Sequence, residues 1–409
     1  MTAFLQNIIL SRKRKAENDL QCFRRQSKAR RLVTMEDENG FSNILGAIIC
    51  GCTKERRPKG QNEQRSSHWW RNGYENWTDK QFKKRFRVNR NTFNYLLQEV
   101  QEYITRETTR FKVPVAPEVQ LALTLYRLAH DSSFATVGDL FGIATSTACE
   151  TFNEVIRIIV LVFFYEYVTL PSTEEEWKNE LKAFLKDWGF PCVAAWDGFH
   201  VYICSNLKNF YSFKKRYSVT NMGLIAANKR FLWAGVGAPG SMHDSTLLKS
   251  SPIFNDIESG HVLPNCQMNL PGFGNIPLGT VGDSAFPARS WLMKAFDDTT
   301  KNRKERNFNK HLRAARVVSE HAYGMLKGRW RILYKKTECR RKNVTAVIMA
   351  CVTLHNICIK RADPCLPRWQ LDIQRLELIR KPTKRSEDKA LSNKLRDIIK
   401  EWLWSLRSE

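Results

Sequence analysis

The sequence predicts an α/β chain in which a mixed β-sheet is flanked by helices and preceded by an α-helical region. Three observations predict it. Pro191–Cys204, PCVAAWDGFHVYIC, holds ten apolar residues in fourteen and reads as a buried strand. Tyr217–Ala227 and Phe231–Val236 read as two further strands joined across Asn228-Lys229 in a hairpin. From Trp69 to Tyr165, and again from Leu312 to Ile359, apolar residues recur every three or four positions, the period of a helix with one packed face.

A chain of 409 residues is long enough for two or three domains and a sizeable core. Its 66 Lys+Arg against 41 Asp+Glu give a net charge of +25, with a pI near 9.7. A folded protein this basic meets a polyanion, nucleic acid first; acidic lipid or an acidic protein are the alternatives. The 11 cysteines are scattered with no C-x-x-C pair, as expected of reduced thiols in an intracellular protein. The opening residues do not follow the secretory order, and no run approaches the ~18 apolar residues of a membrane span.

In chain order, residues 1–65 are expected to be a disordered basic arm and linker. Arg12-Lys13-Arg14-Lys15 and Lys28-Ala29-Arg30-Arg31 fit either a bipartite nuclear import signal or a solvated arm. Residues 66–165 form the helical region, with Thr78–Phe86, Asn91–Ile104 and a helix opened by Pro117. Phe134–Thr147 has the short helix, Gly142 turn and capped second helix of a helix-turn-helix. Its second helix offers Thr147, Glu150, Asn153 and Glu154 but few cations, so packing and DNA reading fit it equally.

Residues 166–362 carry the sheet. Ser172 with Glu175 is a capping box for a helix to about Lys186, and Asp244 fits an N-cap. Residues 250–278 read as a loop-rich insertion, Arg289–Phe296 as a helix and Asp297–Lys310 as a polar loop. Leu312–Leu333 is a helix whose apolar stripe leaves Glu320 on another face, with Arg313, Arg316, Tyr323, Gly324 and Lys327. Gly324 leaves room on that face for a substrate. Val344–Ile359 is a core helix, and residues 363–409 are a linker ending in an amphipathic helix, Ser386–Leu406.

Asp197 lies mid-strand on an apolar face, where an ionised carboxylate costs several kcal/mol unless it is met by a cation or donors. It is either the cap of an Asp197-Gly198 turn or a metal-binding carboxylate. Asp283 ends a second short strand and Glu320 rides a helix. Asp, Asp and Glu on strand, strand and helix is the layout of an RNase H-like catalytic core preceded here by a helix-turn-helix-like domain. Such acids hold Mg²⁺, with Mn²⁺ as a substitute. Candidate DNA contacts are Lys214, Lys215 and Arg216 near the hairpin, and Arg316, Lys327, Arg329 and Arg331 on the long helix. The stretch 327–336 mixes five cations with Trp330 and Tyr334, which suits phosphate contact plus base stacking or, more simply, a basic amphipathic surface.

The chain resembles a PIF/Harbinger-type DDE transposase, including nuclear proteins derived from such elements. The resemblance rests on WDGFHV (196–201), APGSMHDS (238–245), GDSAFPARSWLM (282–293), FNKHLRAARVVSEHAYGMLKGRWRIL (308–333) and LHNIC (354–358), with FRVNRNTFNYLL (86–97) and LFGIATST (140–147) upstream. It implies that Asp197, Asp283 and Glu320 are a metal-binding catalytic triad. Asp244 matches a further recurrent acid, either ligand or cap. The implied activity is a Mg²⁺-dependent DNA endonuclease and strand transferase in the nucleus, acting as a homo-oligomer, with a Myb/SANT-like accessory protein for end recognition. The alternatives are a domesticated, non-catalytic DNA- or chromatin-binding protein and an enzyme acting on RNA. Two departures stand out: Asn228 where relatives carry Asp, and Ala144 where the second helix usually starts with Ser.

Overall fold

The computed structural model describes residues 66–108, 113–263, 267–287, 289–337, 339, 341–369 and 390–407. The expected basic arm and its import signal lie outside the described residues.

The helical region is α1 (His68–Asn76), α2 (Asp79–Phe86), α3 (Arg90–Ile104), α4 (Pro117–His130), α5 (Phe134–Phe141) and α6 (Thr145–Tyr167). Local chemistry sets the boundaries. Thr78 and Gln81 form a capping box at α2, Asn89 caps α3, Pro117 opens α4 and Ser133 caps α5. Gly142 ends α5 in the left-handed conformation, φ 68°. Ala144 precedes α6 without a side-chain cap. The exposed residues of α6 are Thr145, Ser146 and Glu150 in its first two turns and Glu166 at its far end. After Glu150, Asn153 accepts from the Asn343 amide at 2.8 Å and Glu154 pairs with Arg106. Those two polar side chains are spent inside the protein.

Helix α7 (Glu174–Trp188) starts at a capping box of Thr173 with Glu176, one residue later than expected; Ser172 donates to the same Glu176 carboxylate. The sheet has β1 (Ala195–Tyr202), β2 (Ser218–Ile225), β3 (Phe231–Pro239), β6 (Thr280–Val281) and β7 (Leu292–Met293), in the order β3-β2-β1-β6-β7. The first three are antiparallel, and β6 and β7 add in parallel. Between them lie α8 (Asp244–Lys249), α9 (Pro252–Glu258) and a hairpin of β4 (Gln267–Leu270) with β5 (Gly274–Pro277), so the described residues of the 250–278 insertion include a helix and a hairpin. The helix expected over 289–296 is instead the edge strand β7, because Thr280 and Gly282 donate to Trp291 and Met293 across a parallel ladder. Helix α10 (Arg303–Arg329) begins earlier than expected because Asn302 caps it from within the supposed polar loop. Helices α11 (Arg341–Lys360) and α12 (Ala390–Ser405) complete the chain.

Strand β1 is central and its two faces differ. Phe199 turns to α10 and packs on Tyr323, ring centroids 4.7 Å apart. Trp196 turns the other way, toward Trp233, and its indole N–H donates to Thr280 Oγ1 at 3.0 Å. Helix α11 contains a stretch, Asn343–Lys360, long and apolar enough to cross a membrane, contrary to the expectation that no run comes close; 83% of it is buried inside the protein. On α11, the Asn356 amide donates to Tyr167 O and Phe231 O, each at 2.8 Å, and Asn356 Oδ1 accepts from Phe231 N at 2.9 Å. One side chain thereby ties α6, β3 and α11 together. A single buried cluster runs from Trp70 through α6 to Leu403, so the helical region and the sheet share one core.

Candidate active site

The parallel register brings the acids together. Ala195 is paired with Val281, so two residues further on Asp197 comes beside Asp283, which lies just past the end of β6 and whose charge it feels. Strand β6 stops there while β1 continues, leaving a notch at the carboxyl end of the shorter strand. Helix α10 closes it from one side: Ser319 donates to Asp197 Oδ2 at 2.9 Å, and the Tyr323 hydroxyl donates to Asp197 O at 2.7 Å. Asp197 Oδ1 accepts its neighbour's amide, Gly198 N, at 2.9 Å. The side chain is in the strand and fixed by donors, which removes the turn reading of Asp197-Gly198.

Asp244 enters from the opposite side, at the first turn of α8. It is not the cap, because His243 occupies that position and no side-chain cap bond forms. Its carboxylate is instead pressed over Gly198. A Cβ placed on Gly198 would lie 2.5 Å from Asp244 Oδ1. The glycine is thus needed for the approach of a third acid.

Three carboxylates share this notch with few cations. Burial pushes the Asp197 carboxyl above the usual range, with the Asp283 charge adding and Arg316 and Ser319 opposing. Burial and the charges of Asp197 and Asp283 push Asp244 up to about 7, with Lys214 opposing. Burial also pulls Asp283 upward, but the Arg316 guanidinium 3.5 Å away and bonds from Ser284 outweigh it, so Asp283 ends below the ordinary value.

Glu320 is exposed, one residue past Ser319 on α10. Helical spacing puts it on the face of Arg316, one turn further on. The two aspartates expected from sequence, Asp197 and Asp283, are brought together; the third acid of the notch is Asp244. Among the described residues, no three His, Cys, Asp or Glu side chains converge tightly enough to enclose a metal ion. The donor set nevertheless fits one: hard carboxylate oxygens, short of positive charge, at an open strand end.

The cations expected to contact DNA divide sharply. Lys215 and Arg216 are exposed and Lys214 and Arg331 half-buried, while Arg316 is paired to Asp283. Lys327 is 4% exposed, its ammonium 5.7 Å from the Phe199 ring. Arg329 is 2% exposed and donates to Arg87 O at 2.8 Å and Asp363 O at 2.6 Å. Both are interior braces and not phosphate contacts, because the last turn of α10 is packed in the core. Gly324 is buried as well, so it opens no substrate space. Ser319 is not found from the sequence and Tyr323 only as a residue on the face of Glu320, though their i, i+4 spacing is the signal that joins them.

Residues 196–356 match the DDE superfamily endonuclease family. The chain contains a DDE superfamily endonuclease domain. Its match begins one residue before Asp197 and takes in Asp244, Asp283 and Glu320. The chain is homologous to Protein ALP1-like of Arabidopsis thaliana, 28% identical over 83% of this chain and 86% of that protein. It is also 28% identical to the Arabidopsis protein Antagonist of Like Heterochromatin Protein 1, over 70% of this chain and 74% of that one. No solved structure matches. The DDE domain thus comprises the sheet, α10 and most of α11, and the notch lies at its centre.

Proposed function

We propose that the chain is a divalent-metal-dependent DNA endonuclease of the Harbinger transposase type, which frees a 3′-OH and joins it to target DNA. The carrying observation is the gathering of Asp197, Asp244 and Asp283 within a DDE domain, with Arg316 beside Asp197 and Asp283 and Lys214 the cation beside Asp244. Asp197 and Asp283 would hold the ion, with Asp244 adjoining and Glu320 approaching from α10. A bound Mg²⁺ or Mn²⁺ supplies Lewis-acid activation of water and stabilises the leaving oxygen. The rest is done by the chain. Ser319 and the Gly198 amide lock the Asp197 carboxylate, and Tyr323 fixes the backbone beneath it. Arg316, released from Asp283, would offer a charge-assisted fork to a non-bridging phosphate oxygen. The net charge of +25 offsets the repulsion these acids exert on DNA.

The test is plasmid nicking by the purified full chain. Supercoiled DNA is expected to relax with Mg²⁺ or Mn²⁺ and to stay intact with chelator, with Asp197→Asn and Asp283→Asn inactive. Equal nicking by both variants sinks the reading. We further propose nuclear localisation through the clusters at 12–15 and 28–31, which unchanged nuclear accumulation after deleting residues 12–31 would refute.

A second reading, a nuclear DNA- or chromatin-binding protein that no longer cleaves, is favoured by the exposure of Glu320 and the lack of an enclosed ion site among the described residues. One relative's name, antagonist of a heterochromatin protein, accords with it. Tight DNA binding without nicking under any divalent metal would select it. Under either reading, an α6 largely packed beyond its first two turns leaves end recognition to a Myb/SANT-like accessory protein or to a second copy of the chain.

A further inference from the structure

The connection from β1 to β2 is built differently from the other loops. Ser212 N donates to Arg216 O at 2.9 Å, Ser212 Oγ to the same oxygen at 2.8 Å, and Lys215 N to Ser212 O at 3.0 Å. Lys215 adopts φ 55°, so the turn is tight and left-handed at its tip. Its base is fixed too: Ser241 N donates to Asn209 O at 3.1 Å, and Gly240 packs so closely that a Cβ would meet Phe210 O at 2.6 Å. This defined turn exposes Phe213 (52%) and Tyr211 (48%), with Lys215 and Arg216 beside them. Exposed aromatics are costly in water, and a fixed turn that holds two of them among cations matches a ligand with flat rings and negative charge.

The position identifies the ligand further. Phe213 stands against His200 on β1, ring centroids 5.5 Å apart, and His200 lies two residues past Gly198 on the same face of the strand. Asp244 covers Gly198. His200, against which Phe213 stands, is therefore roughly 7 Å along the strand from Gly198, which Asp244 covers, about two base steps of a nucleic-acid strand. A base face is hidden inside a duplex and becomes available only when the nucleotide is unpaired or turned out.

We propose that the β1–β2 turn is a stacking platform for an unpaired nucleotide of the DNA strand lying over the notch. Phe213 and Tyr211 take the base, and Lys215 and Arg216 take the adjoining phosphates. The proposal deepens the nuclease reading and rests on it for the choice of DNA. It makes the enzyme one that acts where the duplex has opened.

The test is anisotropy of the full chain in chelator, where no cleavage occurs, with fluorescent single-stranded DNA, a frayed-end duplex and a fully paired duplex. Phe213→Ala is expected to weaken single-stranded and frayed DNA by about tenfold and to leave the paired duplex unchanged. Tyr211→Ala acts in the same direction, and Lys215→Ala weakens all three. Thermal melts confirm that these surface variants stay folded. Equal losses on paired and frayed DNA, or none on either, overturn the proposal. So does wild-type chain that binds no DNA, which would leave the rings to a protein partner. Because metal is absent, the nuclease reading can fail by the plasmid assay while this result stands, and the reverse.

Discussion

Helix α10 borders two carboxylate settings that have opposite charge balance. At its last turn, the fully buried Asp363 accepts from Lys83 at 2.7 Å, lies 3.6 Å from Arg329, and takes the Asn89 amide at 2.7 Å. Arg87 stacks on Trp369 alongside, and burial lowers its guanidinium to about 10, the Arg331 charge adding. One acid here faces a surplus of cations. At the middle of the helix, three acids face two cations, Arg316 beside Asp197 and Asp283 and Lys214 beside Asp244. The first arrangement closes on itself and locks α2, α3 and the segment after α11 to the end of α10. The second is complete only when positive charge arrives from outside. Burial alone does not separate structural from functional acids; the balance of charge around them does.

Removing one member of the lock has the largest expected effect on stability. Asp363→Ala strands the buried Arg329 and the half-buried Lys83 and should cost about 3–5 kcal/mol, read by urea denaturation. The same kind of change in the notch should go the other way. Asp197→Asn removes one of three mutually repelling charges, so the metal-free protein should melt at the same temperature or higher. The variant should lose the rise in melting temperature that Mn²⁺ gives the wild type. If Asp197→Asn destabilises the metal-free protein as Asp363→Ala does, the two settings are alike and the contrast is wrong.

The pH dependence sharpens the contrast. Asp244 has its folded pKa raised from the ordinary carboxylate value of about 4 to about 7 by burial and by Asp197 and Asp283. The unfolded chain has released this proton by pH 5 while the folded chain still holds it, so stability falls as pH rises from about 4 to 7. Asp197 is raised as well and acts in the same sense; Asp283 is lowered and contributes stability that is lost only in acid. The groups facing Asp244 are Asp197, Asp283, Lys214 and the buried Tyr323 hydroxyl. Melting in chelator should decline between about pH 4 and 7, and Asp244→Asn should flatten the decline. Unchanged slope in the variant assigns it elsewhere.

A smaller change tests the packing of the third acid. Gly198→Ala brings a methyl to 2.5 Å from Asp244 Oδ1, so the carboxylate must move away. A stability loss of about 1–3 kcal/mol is expected, with weaker Mn²⁺ binding by calorimetry. Full Mn²⁺ affinity would show that Asp244 takes no part in holding the ion.

The α/β class, the central strand with Asp197, the hairpin and the core helix α11 were legible because each follows from apolar periodicity or turn chemistry in a short window. The grouping of Asp197 with Asp283 was legible from the strand, strand and helix layout and from the resemblance, but their register was not, since two residues of β6 carry too little pattern to fix it. Arg329 and Lys327 were misread for a related reason. In KGRWRIL the cations look like surface, and only the distant Asp363, Phe199 and Arg87 explain their burial. Asp244 could not be placed because its role depends on Gly198, 46 positions away and on another element.

The smallest expected effect decides between two versions of the site. Glu320 is exposed, so Glu320→Gln should change stability by no more than ~0.5 kcal/mol, far less than any change at Asp363. Its effect on nicking is independent of that. If cleavage falls to the level of Asp197→Asn while Asp244→Asn still cleaves, Glu320 moves in when DNA binds, and the acid over Gly198 is an electrostatic neighbour. If Glu320→Gln cleaves normally and Asp244→Asn does not, the working set is the one already gathered in the notch. The order of these two variants in a single plasmid assay, with Mn²⁺ affinity measured alongside, assigns the third carboxylate.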